Sequence, residues 1–506
     1  MLEFVSIFAP SIFAPSIFAH GIGSRSDLPL PLWVFSANAV AALIASFVLL
    51  GLLWPVSRLA KDAVGLPFGS GKKGSVAFTA LIRAAGLLLF GAVLWASLFS
   101  PLGAGASIAP VAIFVVFWVG VQLLSAVFGD IWRLLSPWDT MATIGAWLKV
   151  TWFKALVSSN RKSTPVPPRW ASGFVAVVAV AVFLWMELVY PEPSDTRLLG
   201  WLIFAYTALM LCGASLWGRR WLRENEGFAV LFTMIGAMGI FSGGNKAEVP
   251  KRHTGDADNT GNTDKVRVRW PIAGLANLKM TYFGTALVLV VLGSTTFDGL
   301  SGTLWWTNLQ RGRSGWETVP MSTLGLLGCV LAVTLGYYLA MAVALWLLRR
   351  SNMGPMAQTF SDELAQMPPS QILQSQMSLP RQAIHLGQHF SHSLIPLLVA
   401  YSVAHYFSLL VFEGQDFVAL LSDPFAVGWD IFGTAHFRIN YRVVSAELIA
   451  WVQALAIVIG HVAGVMVAHD RAVELLPRRL ALRSQYPLLA VMVGYTITGL
   501  ILLLKA

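Results

Sequence analysis

Six of the nine histidines in this chain lie in two apolar segments near its C-terminal end. In the first segment His385, His389 and His392 are spaced i, i+4 and i+7, which places them on one face of a helix. The second segment carries His461 and His469. Zinc, iron and manganese accept imidazole ligands, so histidines clustered in apolar segments indicate a metal centre.

Helix geometry places four of these histidines near one end of their helices. At 1.5 Å per residue, His392 lies about 13 Å inward from a helix start near residue 383. His461 lies about 12 Å inward from the end of the next, antiparallel helix near residue 469. With His389 and His469 nearer that surface, we expect a divalent metal ion between the two helices. Zinc is the first expectation, and iron, manganese and copper are the alternatives.

A carboxylate directly follows the last of these histidines. Asp470 stands beside His469, where it could accept a proton from a metal-bound water and act as a catalytic residue. A metal ion lowers the pKa of its bound water towards about 7, which supplies hydroxide as a nucleophile. The same histidines could instead form interhelical hydrogen bonds or relay protons, and these alternatives stay open.

A second set of candidates lies towards the other end of these helices. His405 is thirteen residues beyond His392, about 20 Å along the axis, which is too far to share its metal ion. We treat His405 as the metal-ligand candidate of this outer set and Asp298 as its catalytic candidate. Asp298 ends an apolar helix, where the helix dipole disfavours an anion. The spacing from His461 to His469 is only eight residues, which does not match the pattern of two stacked haems.

The elements that position these residues are membrane-spanning helices. The chain has 506 residues, 56% of them hydrophobic and 12% charged, and its mean hydropathy is +0.67. A soluble protein carries about 25% charged residues. Apolar runs of about 18 to 25 residues can cross a bilayer as helices, and the alternating pattern of a transmembrane barrel does not occur. We therefore predict an all-α, polytopic transmembrane helix bundle.

About ten spans follow from the apolar runs. Their ranges are 31–54, 77–98, 109–129, 170–190, 198–217, 278–298, 320–348, 383–412, 445–469 and 486–504. A shorter apolar stretch at 228–243 predicts a re-entrant or interfacial helix. Residues 31–504 form one transmembrane domain. Residues 1–30 form an apolar lead, which we interpret as a signal segment or as a stretch on the outer surface.

The basic residues predict the orientation. With the N-terminus outside, 27 of the 35 lysines and arginines fall in the inner connections, as the positive-inside rule requires. The main cytoplasmic loops are then 130–169, 218–277 and 349–382. This N-out, C-out arrangement predicts a multi-pass protein of the bacterial inner membrane.

Charge and cysteine content exclude two other classes. The formal charge of +10 comes from basic residues in loops, without a basic stripe bearing exposed aromatic side chains, so we expect no nucleic-acid partner. The two cysteines, Cys212 and Cys329, fall in predicted spans. A disulfide framework is therefore excluded.

Four strings stand out along the chain. They are HGIGSRSDLPLPLW at 20–33, STTFDGLSGTLWW at 294–306, FSHSLIPLLVAYSVAHYFSLLVFEGQ at 390–415 and WVQALAIVIGHVAGVMVAHDRAV at 451–473. Together they resemble a family of bacterial membrane proteins named fenitrothion hydrolases. The resemblance spans nearly the whole chain, and the last two strings are the most specific.

The resemblance implies hydrolysis of an organophosphorus triester at the membrane, with release of a nitrophenol. The matching positions are His392, His405, His461, His469, Asp470 and Asp298. His385 and His389 are not part of the resemblance. A neutral aryl phosphotriester is lipophilic, so it would enter from the lipid bilayer, and a metal-bound hydroxide could attack its phosphorus atom.

We therefore expect a membrane-bound, metal-dependent phosphotriester hydrolase. One alternative is a metal-ion or small-solute transporter that uses the same histidines as transient ligands or proton carriers. Another is a non-catalytic subunit of a membrane complex. A hetero-oligomer with a second, related membrane subunit is compatible with each of these functions.

Overall fold

The computed structural model describes residues 32–63, 65–67, 74–100, 107–153, 167–168, 172–242, 267–350 and 379–505. The predicted lead at 1–30 lies outside the described residues, as do 154–166, 243–266 and 351–378 from the predicted loops. The described residues form an all-α helix bundle with three very short strands, which confirms the predicted fold class.

The bundle consists of long helices joined by short ones. In chain order they are α1 (Leu32–Leu53), α2 (Gly74–Phe99), α3 (Ile108–Phe128), α4 (Pro137–Phe153), α5 (Phe174–Leu188), α6 (Thr196–Trp217), α7 (Arg219–Asn225), α8 (Gly227–Gly236), α9 (Tyr282–Ser301), α10 (Val319–Arg350), α11 (Leu379–Ser422), α12 (Ala446–Leu475) and α13 (Arg478–Lys505). Single turns occupy Leu59–Asp62, Trp132–Leu135, Ala273–Asn277, Leu304–Leu309 and Gly315–Thr318.

Eight helices in the described part of the chain are long and apolar enough to cross a membrane. They are α2, α3, α6 and α9 to α13. The other two predicted spans correspond to α1 and α5, whose described apolar stretches are shorter, Ala37–Leu53 and Phe174–Leu188. The chain is therefore a membrane protein built from apolar helices, and the number of crossings and the orientation stay predictions.

A small sheet joins two connections at one end of the bundle. β1 (Leu66–Pro67) and β2 (Phe241–Ser242) both pair antiparallel with β3 (Arg267–Val268), in the order β1-β3-β2. β1 follows α1, whereas β2 and β3 lie between α8 and α9. Both connections therefore lie at the same end of the bundle, which we call the sheet end. Both belong to loops predicted to be cytoplasmic.

The short helix α8 is buried between longer ones. It packs against α3 and α5, and most of its side chains are inaccessible, so it does not lie on the surface of the bundle. It ends at Gly236, earlier than the predicted range 228–243. The guanidinium group of Arg269 donates to the carbonyl oxygens of Gly236 and Gly239, both at 2.9 Å, and so caps the helix.

The helices that carry the histidines, α11 and α12, approach each other closely through glycines. A Cβ atom at Gly460 would lie 2.1 Å from Ala400 Cβ, and one at Gly464 would lie 2.3 Å from Leu397 Cδ1. Larger residues would push the helices apart, which is why small residues mark close helix contacts in membranes.

A proline interrupts α11 near its start. The turn Ser391–Leu394 is wound as a 3₁₀ helix within α11. Pro396 lacks an amide hydrogen, and in a regular α-helix its ring would collide with the carbonyl group of His392, four residues earlier. The tighter turn avoids this collision. It also changes the direction in which residues before and after it project, relative to the single straight helix that the sequence predicts.

Candidate active site

The structure brings together two of the predicted site residues, Asp298 and His405. The Nε2 atom of His405 lies 2.7 Å from Oδ2 of Asp298. The Asp298 side chain is 1% exposed and that of His405 is 15% exposed. A buried carboxylate loses the solvation that stabilises it in water, so it needs partners of this kind.

Packing at the end of α9 sets the position of Asp298. The residue lies in the last turn of α9, and Phe297 beside it is fully buried. The ring of Phe297 meets that of Trp306 edge to face, with centroids 5.3 Å apart. Trp306 belongs to the turn Leu304–Leu309, which folds back over the end of α9. This contact fixes the rotation of the helix end and thereby directs Asp298 towards α11.

Tyr406 and Glu187 extend the pair. The Tyr406 hydroxyl donates to Asp298 Oδ2 at 2.9 Å and lies 3.5 Å from Glu187 Oε1. Glu187 stands in the last turn of α5 and is buried. Its Oε2 atom has no hydrogen-bond partner among the described residues. We call Glu187, Asp298, His405 and Tyr406 the acid cluster.

The contact with Asp298 determines which nitrogen of His405 can act as a base. A carboxylate accepts hydrogen bonds, so its nearness favours a proton on Nε2 and leaves Nδ1 as an acceptor. Both ring nitrogens are buried without a hydrogen-bond partner within the described part of the chain, because the short contact of Nε2 with Asp298 lacks hydrogen-bond geometry. Buried polar atoms are normally paired, so Nδ1 marks a candidate position for a water molecule or a substrate atom.

Further polar rings lead from the acid cluster towards the sheet end. Successive ring centroids from His405 to Tyr401, from Tyr401 to Tyr495 and from Tyr495 to His461 are each 6.3 Å apart. The hydroxyl group of Tyr495 also lies 3.0 Å from Thr296 Oγ1. We call Tyr401, Tyr495 and His461 the polar row. It connects the acid cluster with one of the histidines predicted for the inner site.

His392 and His461 do not lie at the same level. Gly460 and Gly464 of α12 face Ala400 and Leu397 of α11, so His461 is level with residues near 397. That position is five residues beyond His392, about 8 Å along the helix axis. Both side chains are buried, and the Nε2 atom of each lacks a hydrogen-bond partner among the described residues. The Nδ1 atom of His461 bonds to the Ile457 carbonyl oxygen at 2.7 Å.

His469 holds two elements together. Its Nε2 atom lies 3.1 Å from the carbonyl oxygen of Trp54, and its Nδ1 atom lies 3.3 Å from Oε1 of Gln485. Both ring nitrogens face oxygen acceptors, and a neutral imidazole carries a single N–H, so only one of the two contacts is a hydrogen bond in that form. These contacts give His469 a structural role between α12, α13 and the connection after α1.

Asp470 anchors the connection that follows α1. Its Oδ1 atom accepts hydrogen bonds from Trp54 Nε1 and from the backbone amides of Arg58 and Leu59, at 2.9, 2.7 and 3.2 Å. Its Oδ2 atom accepts one from Ser57 Oγ at 2.9 Å. A carboxylate with four donors is well suited to a structural role, and its predicted catalytic role stays untested.

The predicted metal ligands do not converge in the described structure. The Nδ1 atom of His389 accepts a hydrogen bond from the Arg471 guanidinium at 3.1 Å, and a cation at this distance disfavours a metal ion. The other four candidate ligands lie in separate environments: His392, His405, His461 and His469. Among the described residues no group of three His, Cys, Asp or Glu side chains is arranged to hold a metal ion. These residues do not fit the predicted centre, and metal dependence remains a prediction.

Sequence reasoning missed Glu187. A carboxyl group near the end of the apolar run 170–190 is a signal, because an acidic residue in a membrane helix is a functional candidate. Its pairing with Tyr406 and Asp298 depends on how α5, α9 and α11 are rotated about their axes. These rotations cannot be derived from a single sequence.

Another buried carboxyl group, Glu226, lies between α7 and α8, away from the acid cluster. It accepts hydrogen bonds from Tyr206, Trp132 and the amides of Phe228 and Ala229 at 2.7 to 3.1 Å. Burial raises the pKa of Glu226 from its ordinary 4.5 to about 7, although these donors oppose the shift. Its hydrogen-bond donors all belong to the protein, so we assign it a structural role at the junction of α7 and α8.

Within the described structure, Asp298 and His405 are the only predicted catalytic or metal-binding residues that form an ion pair with each other. Both belong to the acid cluster. It combines a buried aspartate, a histidine with an unpartnered nitrogen, a tyrosine hydroxyl group and a second carboxyl group. Such an arrangement can transfer protons to and from a bound molecule. Comparison with protein-family models, curated proteins and solved structures finds no match to this chain.

Proposed function

We propose that this chain is an integral-membrane hydrolase of lipophilic organophosphorus triesters and that the acid cluster is its active site. The observation that carries the proposal is the 2.7 Å contact between Asp298 and His405 inside an apolar bundle. An aspartate that orients a histidine lets the imidazole act as a general base. The sequence resemblance to fenitrothion hydrolases supports the substrate class.

The proposed reaction needs only water and the triester. Asp298 holds the Nε2 proton of His405, and the Nδ1 atom takes a proton from a water molecule. The water oxygen forms a bond to phosphorus while the bond between phosphorus and the aryl oxygen breaks. A nitrophenolate leaves, and the proton on His405 passes to solvent or to the leaving group. The products are a phosphodiester acid and a nitrophenol.

Tyr406 is a positioning residue in this mechanism. Its hydroxyl group donates to the same Asp298 oxygen that His405 contacts, so it stabilises the carboxylate form and fixes its orientation. A carboxylate with these two partners keeps the Nε2 tautomer of His405 while Nδ1 exchanges protons. Glu187 lies on the far side of Tyr406 and does not contact the proposed base in the described structure.

The proposal is tested with detergent-purified protein by following nitrophenol release from fenitrothion or its methyl analogue. Asp298→Asn and His405→Gln should each lower kcat/KM by roughly 10²–10⁴-fold, the usual contribution of general base catalysis. The matched control is His436→Gln, because His436 is an exposed histidine outside the cluster. Turnover that survives in both cluster variants would remove the proposed site.

Metal dependence is tested separately. Dialysis against a chelator and elemental analysis of the purified protein measure whether a metal ion is bound and needed. The mechanism above predicts turnover that survives chelation. Loss of turnover on chelation and its recovery with zinc would support the sequence-based expectation and contradict the metal-free mechanism.

Proton-coupled transport is a second candidate, because a specific observation favours it. Glu187 gives the cluster a second carboxyl group that the hydrolytic mechanism does not use, and the polar row extends from the cluster towards His461. Chains of carboxyl groups, tyrosines and histidines inside membrane proteins carry protons. The variant Glu187→Gln separates the two functions. It should abolish proton flux in proteoliposomes if the protein is a transporter, and leave nitrophenol release within about threefold if it is a hydrolase.

A further inference from the structure

A large apolar cleft lies between α2, α3, α5 and α6, beside the last turns of α11. Its volume is about 890 Å³, within the range of ligand-binding cavities. Along α3 it extends from Ala112 to Leu124, which is at most about 18 Å at the α-helical rise of 1.5 Å per residue, because Val111–Val121 is wound as a wider π-helix. That length is close to the hydrocarbon thickness of a single leaflet, roughly 15 Å.

The cleft offers hydrocarbon surface to its occupant. Its polar residues already have partners: the Tyr206 hydroxyl and the Trp132 indole donate to Glu226, and the Trp138 indole donates to Thr207. An occupant would therefore gain burial of apolar area and few hydrogen bonds along the cleft. A saturated or unsaturated acyl chain meets this requirement.

The cleft opens sideways. Lining residues such as Leu124, Val182 and Leu209 are 45%, 51% and 48% exposed, which for helices of this hydropathy means contact with the bilayer. A molecule in the surrounding lipid can enter between these helices without crossing water.

Two arginines and an aspartate stand at the sheet end of the cleft. Asp139 accepts hydrogen bonds from Arg219 at 2.8, 2.6 and 2.5 Å and from Arg83 at 3.1 Å. Two guanidinium groups on one carboxylate leave an excess positive charge. The Nε atom of Arg83 is buried and has no hydrogen-bond partner among the described residues, and Arg219 is 42% exposed. Trp138, next to Asp139, and Gly86, three residues after Arg83, both line the cleft.

We infer that the cleft binds one anionic phospholipid, with an acyl chain between the helices and the phosphate group on Arg83 and Arg219. Arginine binds phosphate oxygens through paired N–H donors, so the accessible parts of Arg83 and Arg219, whose side chains are 26% and 42% exposed, suit a phosphodiester. The combination of an apolar cleft of one leaflet's length and a cationic end distinguishes this occupant from a neutral lipophile. The inference is independent of the proposed hydrolytic activity.

Native mass spectrometry of the full chain in mild detergent tests the headgroup. Phosphatidylglycerol should remain bound in preference to phosphatidylcholine of identical chains. The pair of substitutions Arg83→Gln and Arg219→Gln should lower retention of phosphatidylglycerol about tenfold, a change that corresponds to about 1.4 kcal/mol, and remove the preference. Arg219→Gln alone should give a smaller loss of phosphatidylglycerol retention. This single variant replaces the double variant in the test if the double variant does not fold. Arg313→Gln, an exposed arginine far along the chain from both, is the control and should retain the lipid fully.

A glycine substitution tests the chain site. A Cβ atom at Gly120 would point into the cleft, with only Val115 O and Leu410 Cδ1 near it at 3.6 and 3.9 Å, so Gly120→Phe fills the space without a clash at Cβ. It should lower retention of both lipids about tenfold, whereas Gly91→Phe on the exposed face of α2 should not. Equal lipid retention by the wild type, the arginine variants and Gly120→Phe would overturn the inference.

Discussion

At the scale of single residues, His405 and Tyr406 are neighbours in sequence that contact the same oxygen atom. Consecutive residues of a helix project about 100° apart, so both can reach Asp298 only because its carboxylate lies between their directions. Their rings stand nearly perpendicular, with an interplanar angle of 88° and centroids 4.9 Å apart. Contacts from two sides therefore fix the position of the Asp298 carboxylate. In the proposed mechanism Asp298 orients the base His405, and such a residue must itself be held in place.

The buried Glu226 leads to a prediction about pH. The unfolded chain releases this proton near pH 4.5, whereas the folded protein keeps it to about pH 7. Between these values the folded state binds more protons than the unfolded state, so the stability that this group contributes falls as pH rises and is lost above about pH 7. We expect the melting temperature of the wild type, relative to Glu226→Gln, to fall from pH 5 to pH 8.

Differential scanning fluorimetry in detergent measures this difference. The control is Glu317→Gln, since Glu317 is an exposed carboxyl group. The difference in melting temperature between the wild type and Glu317→Gln should stay constant from pH 5 to pH 8. A difference for Glu226→Gln that stays constant across this interval would contradict the raised pKa.

At the scale of elements, α12 is tied to the connection after α1 by Asp470. Replacing Asp470 with asparagine introduces a side-chain amide at a position where four hydrogen-bond donors converge. The amide nitrogen is itself a donor, so it finds no acceptor there. An unsatisfied buried donor costs about 1–3 kcal/mol, so in a chain of this length Asp470→Asn should lower the melting temperature by about 1–3 °C. Nitrophenol release per folded molecule should stay near the wild-type value, because the acid cluster is elsewhere.

The matched control for Asp470 lies one turn further along α12. Glu474 pairs with Arg471 at the surface, and exposed ion pairs contribute about 0–1 kcal/mol, so Glu474→Gln should change stability little. A fully stable Asp470→Asn protein without turnover would instead favour the catalytic role that the sequence predicts for this residue.

The helices were predictable from sequence because membrane helices are defined by long apolar runs, and each predicted span overlaps a helix. Helix ends were less predictable: α8 ends at Gly236, and the residue that caps it, Arg269, is distant in sequence. Asp298 and His405 could be selected as candidates from their unusual positions in apolar segments. Their contact, and the partner Glu187, could not, because they depend on helix rotation and on the 3₁₀ turn before Pro396.

At the scale of the whole molecule, the predicted N-out, C-out orientation can be measured. The parent protein for this experiment carries Cys212→Ser and Cys329→Ser, which removes both native cysteines. Single cysteines are then introduced by Arg313→Cys, which follows the turn over the end of α9, and by Arg220→Cys in α7. A membrane-impermeant maleimide added to intact spheroplasts should label the first variant and not the second. The reverse pattern would mean that the sheet end faces outwards.

The contact between Trp54 and Asp470 has a consequence for biogenesis. These residues are 416 positions apart, so α1 enters the membrane long before the helix that receives it has been synthesised. The three-stranded sheet imposes a similar delay, since Leu66 pairs with Val268. Until translation reaches α12, the polar groups after α1 need water, lipid headgroups or a chaperone. The connection after α1 is thus among the last parts to be fixed by its contacts, and a protein truncated before α12 should present this region to quality-control proteases.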